Sequence, residues 1–248
     1  MRIATWNVLH RVHAENYDEG VVAPFPDEAV RVAAIAARVA AQMAGGVLVV
    51  CLQEVSGDQL AALRTHLPAE TQVFDAIYPR RPQPQRPHVG RLRDPTEHLV
   101  TVVASALPAR HLESQVFPDD PGKGFLAVEL GGGLAVFNTH VSFGDRREGQ
   151  LGRLAAAARM RAASVLLGDF NTDLGSVAAG LGPDFAAATL PPGGLPTRPR
   201  TQPQGQHQHI DHVLVRGASV SEAEVQPAGG LSDHNLVVAT LAVIEAAR

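Results

Sequence analysis

Polar side chains follow apolar segments at several points of this 248-residue chain. Asn7 closes "RIATWN", and Glu54 follows "VVCLQ". Further along, Asp169 and Asn171 follow "SVLLG". Four further polar residues lie at the ends or starts of apolar runs, namely His140, Asp211, Asp233 and His234. Carboxylate, amide and imidazole groups bind cations and transfer protons. Substrate sites of layered α/β folds collect at strand ends, so we expect these residues to form one site.

Each of these residues also has an ordinary structural interpretation. Asp169 and Asp233 are typical of turns, because aspartate side chains bond to nearby backbone, and His140 could be a core histidine. Glu54 is different, because a carboxylate after a fully apolar strand must find a cation or leave the interior. The joint occurrence of the whole set favours a site over unrelated turns.

Composition narrows the classes of protein that the chain could be. Apolar residues make up 45% of it, which is typical of a folded domain, and its net charge is −4. That charge excludes a uniformly basic nucleic-acid surface, so an anionic substrate would need a local patch or a metal. The single cysteine, Cys51, cannot form an internal disulfide. Because no targeting segment or membrane span is evident, we expect a cytoplasmic location.

Hydrophobic periodicity predicts two similar halves, in each of which a helix leads into an apolar strand that ends in acidic residues. We therefore expect one α/β domain over residues 1–248, with two stacked mixed sheets and outer helices. The predicted helices are 28–43, 57–66 and 146–161. The predicted strands are 2–8, 47–52, 71–77, 98–104, 110–117, 124–130, 134–139, 163–167, 210–216, 219–226 and 235–243. The long predicted loops are 10–26, 78–97 and 188–209.

Six short motifs make the chain resemble the endonuclease/exonuclease/phosphatase superfamily, the metal-dependent phosphoesterases similar to DNase I. In chain order they are "TWNV", "LQEV", "NTH", "GDFN", "IDHV" and "SDH". They occur in the order of that superfamily and span residues 3–238, nearly the whole chain. The resemblance implies a four-layer α/β/β/α sandwich, which agrees with the two halves inferred from periodicity.

The resemblance also implies a metal site. The positions of Asn7 and Glu54 match the main metal site of the superfamily, and Asp233 is a further carboxylate close to it. We expect the ion to be Mg²⁺, with Mn²⁺ as a possible substitute, because carboxylate and amide oxygens suit hard cations. Asn7 can give its amide oxygen to the ion directly, or it can orient Glu54 or a bound water.

The remaining motif residues match the catalytic positions of the superfamily. Asp169 corresponds to the residue that positions or deprotonates the attacking water, and Asn171 can hold the phosphate or Asp169. His234 and Asp211 match a His–Asp pair, in which the carboxylate favours the imidazolium. His140 would be a second imidazole facing the phosphate. Which of these groups moves the proton is left open at this level.

The loop 78–97 could supply a substrate-binding arm. It carries Arg80, Arg81, Arg86, Arg91 and Arg93, and it opens with Tyr78. Arginine suits phosphate, and an aromatic ring can stack on a base, so we predict substrate contacts from Arg80, Arg81 and Tyr78. The alternative is a solvated, proline-rich surface loop.

We therefore predict a Mg²⁺-dependent phosphodiesterase, and within that class a nuclease acting on RNA or DNA. Leu9 replaces an acid found at this position in relatives that cut abasic sites, so it directs the prediction away from abasic-site repair. One alternative substrate class is a small phosphorylated metabolite or lipid headgroup. Another alternative is a non-catalytic binding module that kept the fold.

Overall fold

The computed structural model describes residues 1–17, 20, 23–85, 92–199 and 205–242. Within these ranges the strands in chain order are β1 (Arg2–Asn7), β2 (Val47–Ser56), β3 (Gln72–Ile77), β4 (Glu97–Val103), β5 (Ala109–Phe117), β6 (Asp120–Leu130), β7 (Leu134–His140), β8 (Ala163–Asp169), β9 (Ala186–Ala187), β10 (Asp211–Arg216), β11 (Ser219–Gln226) and β12 (Leu236–Ala242). The helices are α1 (Arg11–Asn16), α2 (Glu28–Ala44), α3 (Gly57–His66), α4 (Arg146–Arg159) and α5 (Leu174–Leu181).

The strands form two six-stranded mixed sheets that pack face to face. The first sheet has the order β11-β12-β1-β2-β4-β3, and the second has the order β5-β6-β7-β8-β10-β9. Aliphatic side chains of both sheets, among them Ile3, Leu126 and Val165, fill the space between them. Helices α2 and α3 cover the outer face of the first sheet, and α4 and α5 cover that of the second. This arrangement confirms the predicted four-layer α/β/β/α sandwich.

Local sequence signals explain where the long helices begin. Asp27 caps α2 by accepting a hydrogen bond from Ala29 N at 2.9 Å. Ser56 and Gln59 form a capping box at α3, in which each side chain bonds to the other's backbone N–H. Three elements were not predicted from hydrophobic periodicity because they are too short to show a period, namely α1, β9 and α5. Strand β2 also runs past its predicted end to Ser56.

The chain's single cysteine lies in strand β2. Cys51 is a buried free thiol, with its Sγ 3.8 Å from Thr101 Oγ1. No helix in the described ranges has both the length and the apolar character needed to cross a membrane.

Strand directions bring the predicted motifs to one end of the sandwich. Strands β1 and β2 run parallel, and so do β7 and β8. Strand β10 runs antiparallel to β8, so Asp211 at its start lies opposite Asp169 at the end of β8. On the other side of β8, His140 is the register partner of Asp169. Residues from separate motifs thereby meet although they are far apart in the chain.

Candidate active site

Asp169 lies at the centre of the converging side chains and is buried. Its Oδ1 accepts a hydrogen bond from Asn171 N at 2.9 Å, and its Oδ2 accepts one from Asn7 Nδ2 at 3.0 Å. The same Oδ2 lies 3.3 Å from His140 Nε2 and 3.8 Å from His234 Nε2. Burial alone would raise the pKa of Asp169, but these imidazoles outweigh it and hold that pKa well below its usual range. Asp169 is therefore an ionised acceptor with fixed orientation.

Gly168 allows the close approach of β7 and β8 beside Asp169. A Cβ at this position would lie 1.9 Å from Thr139 O, and its φ of +153° disfavours other residues. The glycine of "GDFN" is thus required for the strand spacing that puts His140 next to Asp169.

His234 is held as an imidazolium by the carboxylates around it. Its Nδ1 lies 2.9 Å from Asp211 Oδ2 and 3.1 Å from Asp211 Oδ1. Burial would lower its pKa, but Asp211, Asp233 and Asp169 together raise the pKa of His234 to about 10. The other ring nitrogen, Nε2, lies 3.8 Å from Asp169 Oδ2, and His234 lines the cavity. The charged ring can therefore contact an anion that enters the cavity.

The first and last motifs are locked together by hydrogen bonds. Trp6 Nε1 donates to His234 O at 2.8 Å. Ser232 Oγ donates to Asn7 O at 2.6 Å and accepts from His234 N at 3.1 Å. These bonds join strand β1 to the "SDH" turn and fix the position of the imidazole relative to Asn7.

Glu54 enters the site through an irregularity in β2. The register between β2 and β4 shifts between Leu52 and Val55, and Glu54 has a φ of +55°. Its Oε2 accepts a hydrogen bond from His10 N at 3.2 Å, and its Oε1 lies 3.9 Å from His140 Nε2. Burial would raise its pKa, but nearby imidazoles and Lys123 hold the pKa of Glu54 well below its usual range.

Backbone strain is concentrated at this site. Among the described residues, the non-glycine positions with positive φ are Leu9, Glu54 and Asn171. All three line the same cavity. Such conformations cost about 1 kcal/mol or more each, so the rest of the structure compensates for them in order to present these groups.

Two clusters of ionisable groups lie at the cavity, and each contributes residues to its lining. The first, which we call the aspartate cluster, comprises Asp169, Asp211 and His234. The second, the glutamate cluster, comprises His13, Glu54 and Glu97. In each, one donor atom per residue lies within 4.8 Å of the others, so either cluster has the donor types and spacing to hold a divalent ion. Motif reasoning predicted the aspartate cluster but found only Glu54 of the other.

Lys123 was missed by motif reasoning although it is the chain's only lysine. Its ammonium group contacts the His140 ring, with Nζ 3.2 Å from Nδ1 and also in contact with Nε2. It lines a cavity of about 490 Å³, to which the two clusters contribute His13, Glu54, Asp169 and His234. A lone lysine among 21 basic residues was a usable signal, since a point charge at the end of a flexible stem suits phosphate.

The structure places two predicted metal ligands in other contacts. The Asn7 amide oxygen accepts a hydrogen bond from Leu9 N at 3.0 Å, while its NH₂ group orients Asp169. Asp233 is paired with Arg198, whose Nε and Nη2 lie 3.0 and 2.9 Å from its Oδ2. This geometry favours an orienting role for both residues, and it brings Arg198 from the loop 188–209 into the site.

The position of Tyr78 contradicts one part of the predicted substrate-binding arm. Its ring is 3% exposed and packs in the core between the sheets, so the prediction that it stacks on a base is wrong. Arg80 does line the cavity and pairs with Asp120 at 3.4 Å, whereas Arg81 is exposed outside the lining. Arg86 and Arg91 lie outside the described residues. The exposed aromatic rings at the cavity are instead Tyr17 and Phe143.

The structure is thus a four-layer sandwich with carboxylates and imidazoles gathered at converging strand ends. The family model for the Endonuclease/Exonuclease/phosphatase family matches residues 4–234. The chain belongs to this family, whose superfamily consists generally of metal-dependent phosphoesterases. No curated protein sequence matches the chain.

Solved structures share the fold at low sequence identity. A functionally unknown conserved protein from Enterococcus faecalis V583 has 19% identity and a TM-score of 0.69, covering 98% of this chain and 100% of that one. D. rerio TDP2 complexed with single strand DNA product has 13% identity and a TM-score of 0.67, covering 98% and 99%. An endonuclease/exonuclease/phosphatase from Bacteroides vulgatus has 17% identity and a TM-score of 0.66, covering 98% of each.

Proposed function

We propose that this protein is a divalent-metal-dependent phosphodiesterase that cleaves single-stranded nucleic acid. The observation that carries the proposal is Asp169, held by Asn7 and Asn171 and facing the imidazolium of His234. An ionised acceptor opposite a fixed cation can orient a water towards a phosphate whose developing charge the cation stabilises. Glu54 and the other members of the glutamate cluster supply donors for a divalent metal.

The chain's own groups divide the work of hydrolysis. Asp169 is a weak base because of its lowered pKa, so it accepts a hydrogen bond from the attacking water and aims it. His234 and Lys123 face the phosphoryl oxygens as cations. A divalent ion bound at Glu54 would add positive charge for the phosphate and the leaving oxygen.

The cavity walls favour a single-stranded polyanion with bases. Arg80, Lys123 and Arg198 line it, together with the exposed rings of Tyr17 and Phe143. Cations that follow a backbone and aromatic rings that stack on bases are the usual features of single-strand binding. The fold neighbour from D. rerio, solved with single strand DNA product, supports this substrate class.

A small phosphorylated metabolite or lipid headgroup is the second candidate substrate. The cavity of about 490 Å³ favours it, because that volume lies within the usual range for small-ligand sites. A non-catalytic module is a weaker alternative, because a binding surface has no need of strained backbone at Leu9, Glu54 and Asn171. The identity of the ion as Mg²⁺ and the cytoplasmic location stay predictions.

Hydrolysis assays on the purified chain test the proposal. We expect release of p-nitrophenol from bis-p-nitrophenyl phosphate, and cleavage of labelled single-stranded DNA or RNA, with EDTA abolishing both. Asp169→Asn and His234→Gln should each lower kcat roughly 100-fold or more. The matched controls are Asp145→Asn and His111→Gln, because both side chains are exposed.

Salt dependence separates the two substrate classes. A nuclease should show a steep rise of KM for nucleic acid between about 50 and 200 mM salt, because each neutralised phosphate releases counterions. A shallow response, together with faster turnover of small phosphate esters, would favour the metabolite. Wild-type rates in both Asp169→Asn and His234→Gln would exclude the proposed mechanism.

A further inference from the structure

The glutamate cluster is assembled from three separate elements, and two of its members, His13 and Glu54, line the cavity. His13 lies on α1, Glu54 on the irregular part of β2, and Glu97 begins β4. His13 Nε2 lies 3.4 Å from both Glu97 Oε1 and Oε2. Donor atoms around an ion bound at about 2.0–2.2 Å are roughly 3 to 4.4 Å apart. The observed spacing, within 4.8 Å throughout, therefore needs only small side-chain movements to surround an ion.

The cluster has more negative charge than its own contacts compensate. The side chain of Glu97 is 1% exposed, and within the described ranges its carboxylate is bonded by His13. Glu54 faces the same imidazole and accepts a neutral backbone N–H from His10. Its Oε1 also lies 3.9 Å from His140 Nε2, but that ring is closer to Asp169, at 3.3 Å. Two buried carboxylates that share one imidazole are unfavourable unless a further cation joins them.

His10 gives an independent sign that a group is expected here. Its Nδ1 accepts a hydrogen bond from Val12 N at 3.2 Å and caps α1, so the proton of the neutral ring is on Nε2. That Nε2 is fully buried and has no hydrogen-bond partner among the described residues. The ring lies beside His13, at 5.5 Å between centroids. A buried N–H donor left unpaired next to two carboxylates fits a site whose ion carries a water or shifts a carboxylate towards it.

We propose that His13, Glu54 and Glu97 form a mixed nitrogen and oxygen site for one divalent transition-metal ion, with His10 as a positioning residue. Imidazole nitrogen favours Mn²⁺ and Zn²⁺ over Mg²⁺, which prefers an all-oxygen shell and keeps its waters. The site thereby differs from the all-oxygen Mg²⁺ site expected from the sequence. The inference deepens the proposed function by naming its metal ligands, but it is tested by binding rather than by turnover.

Titration of EDTA-treated full-length protein with Mn²⁺, Zn²⁺ or Mg²⁺ alone tests the site. Isothermal calorimetry should show one ion per chain, with Mn²⁺ and Zn²⁺ binding at least about 10-fold tighter than Mg²⁺. His13→Gln and Glu97→Gln should weaken Mn²⁺ binding at least about 10-fold. The exposed residues His66 and Glu70 provide the matched controls His66→Gln and Glu70→Gln, which should bind as wild type does.

Pulsed electron paramagnetic resonance of bound Mn²⁺ identifies the ligand directly. Coupling to an imidazole ¹⁴N should be present in the wild type and absent in His13→Gln, with far-ultraviolet circular dichroism confirming that the variant is folded. If the coupling survives in folded His13→Gln, the ion lies elsewhere, for example at His234, and the inference is wrong. The phosphodiesterase proposal would stand in that case, because it depends on hydrolysis and on Asp169.

Discussion

The two clusters of the cavity solve the same electrostatic problem in different ways. In the aspartate cluster, Asp169 receives hydrogen bonds from Asn7 and Asn171 and lies against the His140 and His234 rings. In the glutamate cluster, two carboxylates share one imidazole. Each cluster has two carboxylates and one imidazole, but the aspartates receive more hydrogen bonds from the chain, whereas the proposed ion completes the glutamate cluster. The comparison teaches where the protein holds charge of its own and where it expects charge from outside.

The largest expected effect comes from the loss of Arg31, which joins the segment after β1 to the residue before the "SDH" turn. Arg31 is fully buried and donates to the carbonyls of Val8, Leu9 and Leu231, besides its pair with Glu28. Arg31→Met should lower the free energy of unfolding by about 3 kcal/mol, because buried acceptors lose their donor. Urea denaturation measures this loss.

The control for this prediction is an arginine with an exposed ion pair. The Arg64 side chain is 54% exposed in its pair with Asp75, so Arg64→Met should cost less than about 1 kcal/mol. Equal losses for the two variants would contradict the anchoring role of Arg31.

The second prediction concerns Lys123, which contacts the His140 ring at the cavity. Lys123→Met should lower kcat about 100-fold, because one donor to the developing phosphoryl charge is removed. Lys123→Arg should recover part of that loss, since it restores the charge with different geometry. Steady-state kinetics on bis-p-nitrophenyl phosphate measures both variants, and Arg110→Met, at an exposed residue, is the control. A change confined to KM would show that Lys123 binds substrate without aiding the reaction.

The smallest effect is the pH dependence that His10 gives to the glutamate side. The pKa of His10 is lowered to about 4, mainly because the ring is buried. The charges of Glu97 and Glu54 raise this pKa, whereas His13 and Arg31 lower it further. The unfolded chain takes up this proton near the ordinary pKa of about 6.5. The folded state therefore binds fewer protons below that pH, and stability falls as the pH falls from about 6.5 towards 4.

His10→Asn isolates this contribution, because asparagine keeps an acceptor for the α1 cap but does not titrate. Between pH 7 and 5, metal-free wild type should lose about 2 kcal/mol more unfolding free energy than His10→Asn. Urea denaturation at each pH, with EDTA present, gives the difference. Parallel pH profiles for the two proteins would mean that His10 is not buried as a neutral ring.

Local sequence patterns predicted most helices and strands of the fold, but only one residue of the glutamate cluster. The caps at Asp27 and Ser56 and the apolar strands were readable, because they depend on residues within one turn or one strand. Helix α1 was not, since its cap is His10, a residue that rarely has this role. The "GDFN" and "SDH" motifs marked the aspartate cluster because each motif keeps its polar groups within a few residues.

The positions of side chains that depend on packing against distant strands could not be predicted from the sequence. Tyr78 opens an arginine-rich loop in the sequence, yet the packing of the two sheets encloses its ring. Glu97 looks like a loop residue, but β4 begins with it and buries it beside His13. Arg198 belongs to a proline-rich loop, and only the fold brings it to Asp233.

The sequence by itself determined the family, the four layers and the residues at the strand ends, because periodicity and short motifs are local properties of the chain. The tertiary structure alone decided which of those groups touch. In the folded chain the Asn7 amide oxygen accepts a hydrogen bond from Leu9 N, and Lys123 contacts the His140 ring. His13 and Glu97 lie beside Glu54. The physical reason is that strand register and sheet packing, which act over long sequence separations, set the distances on which charge, coordination and catalysis depend.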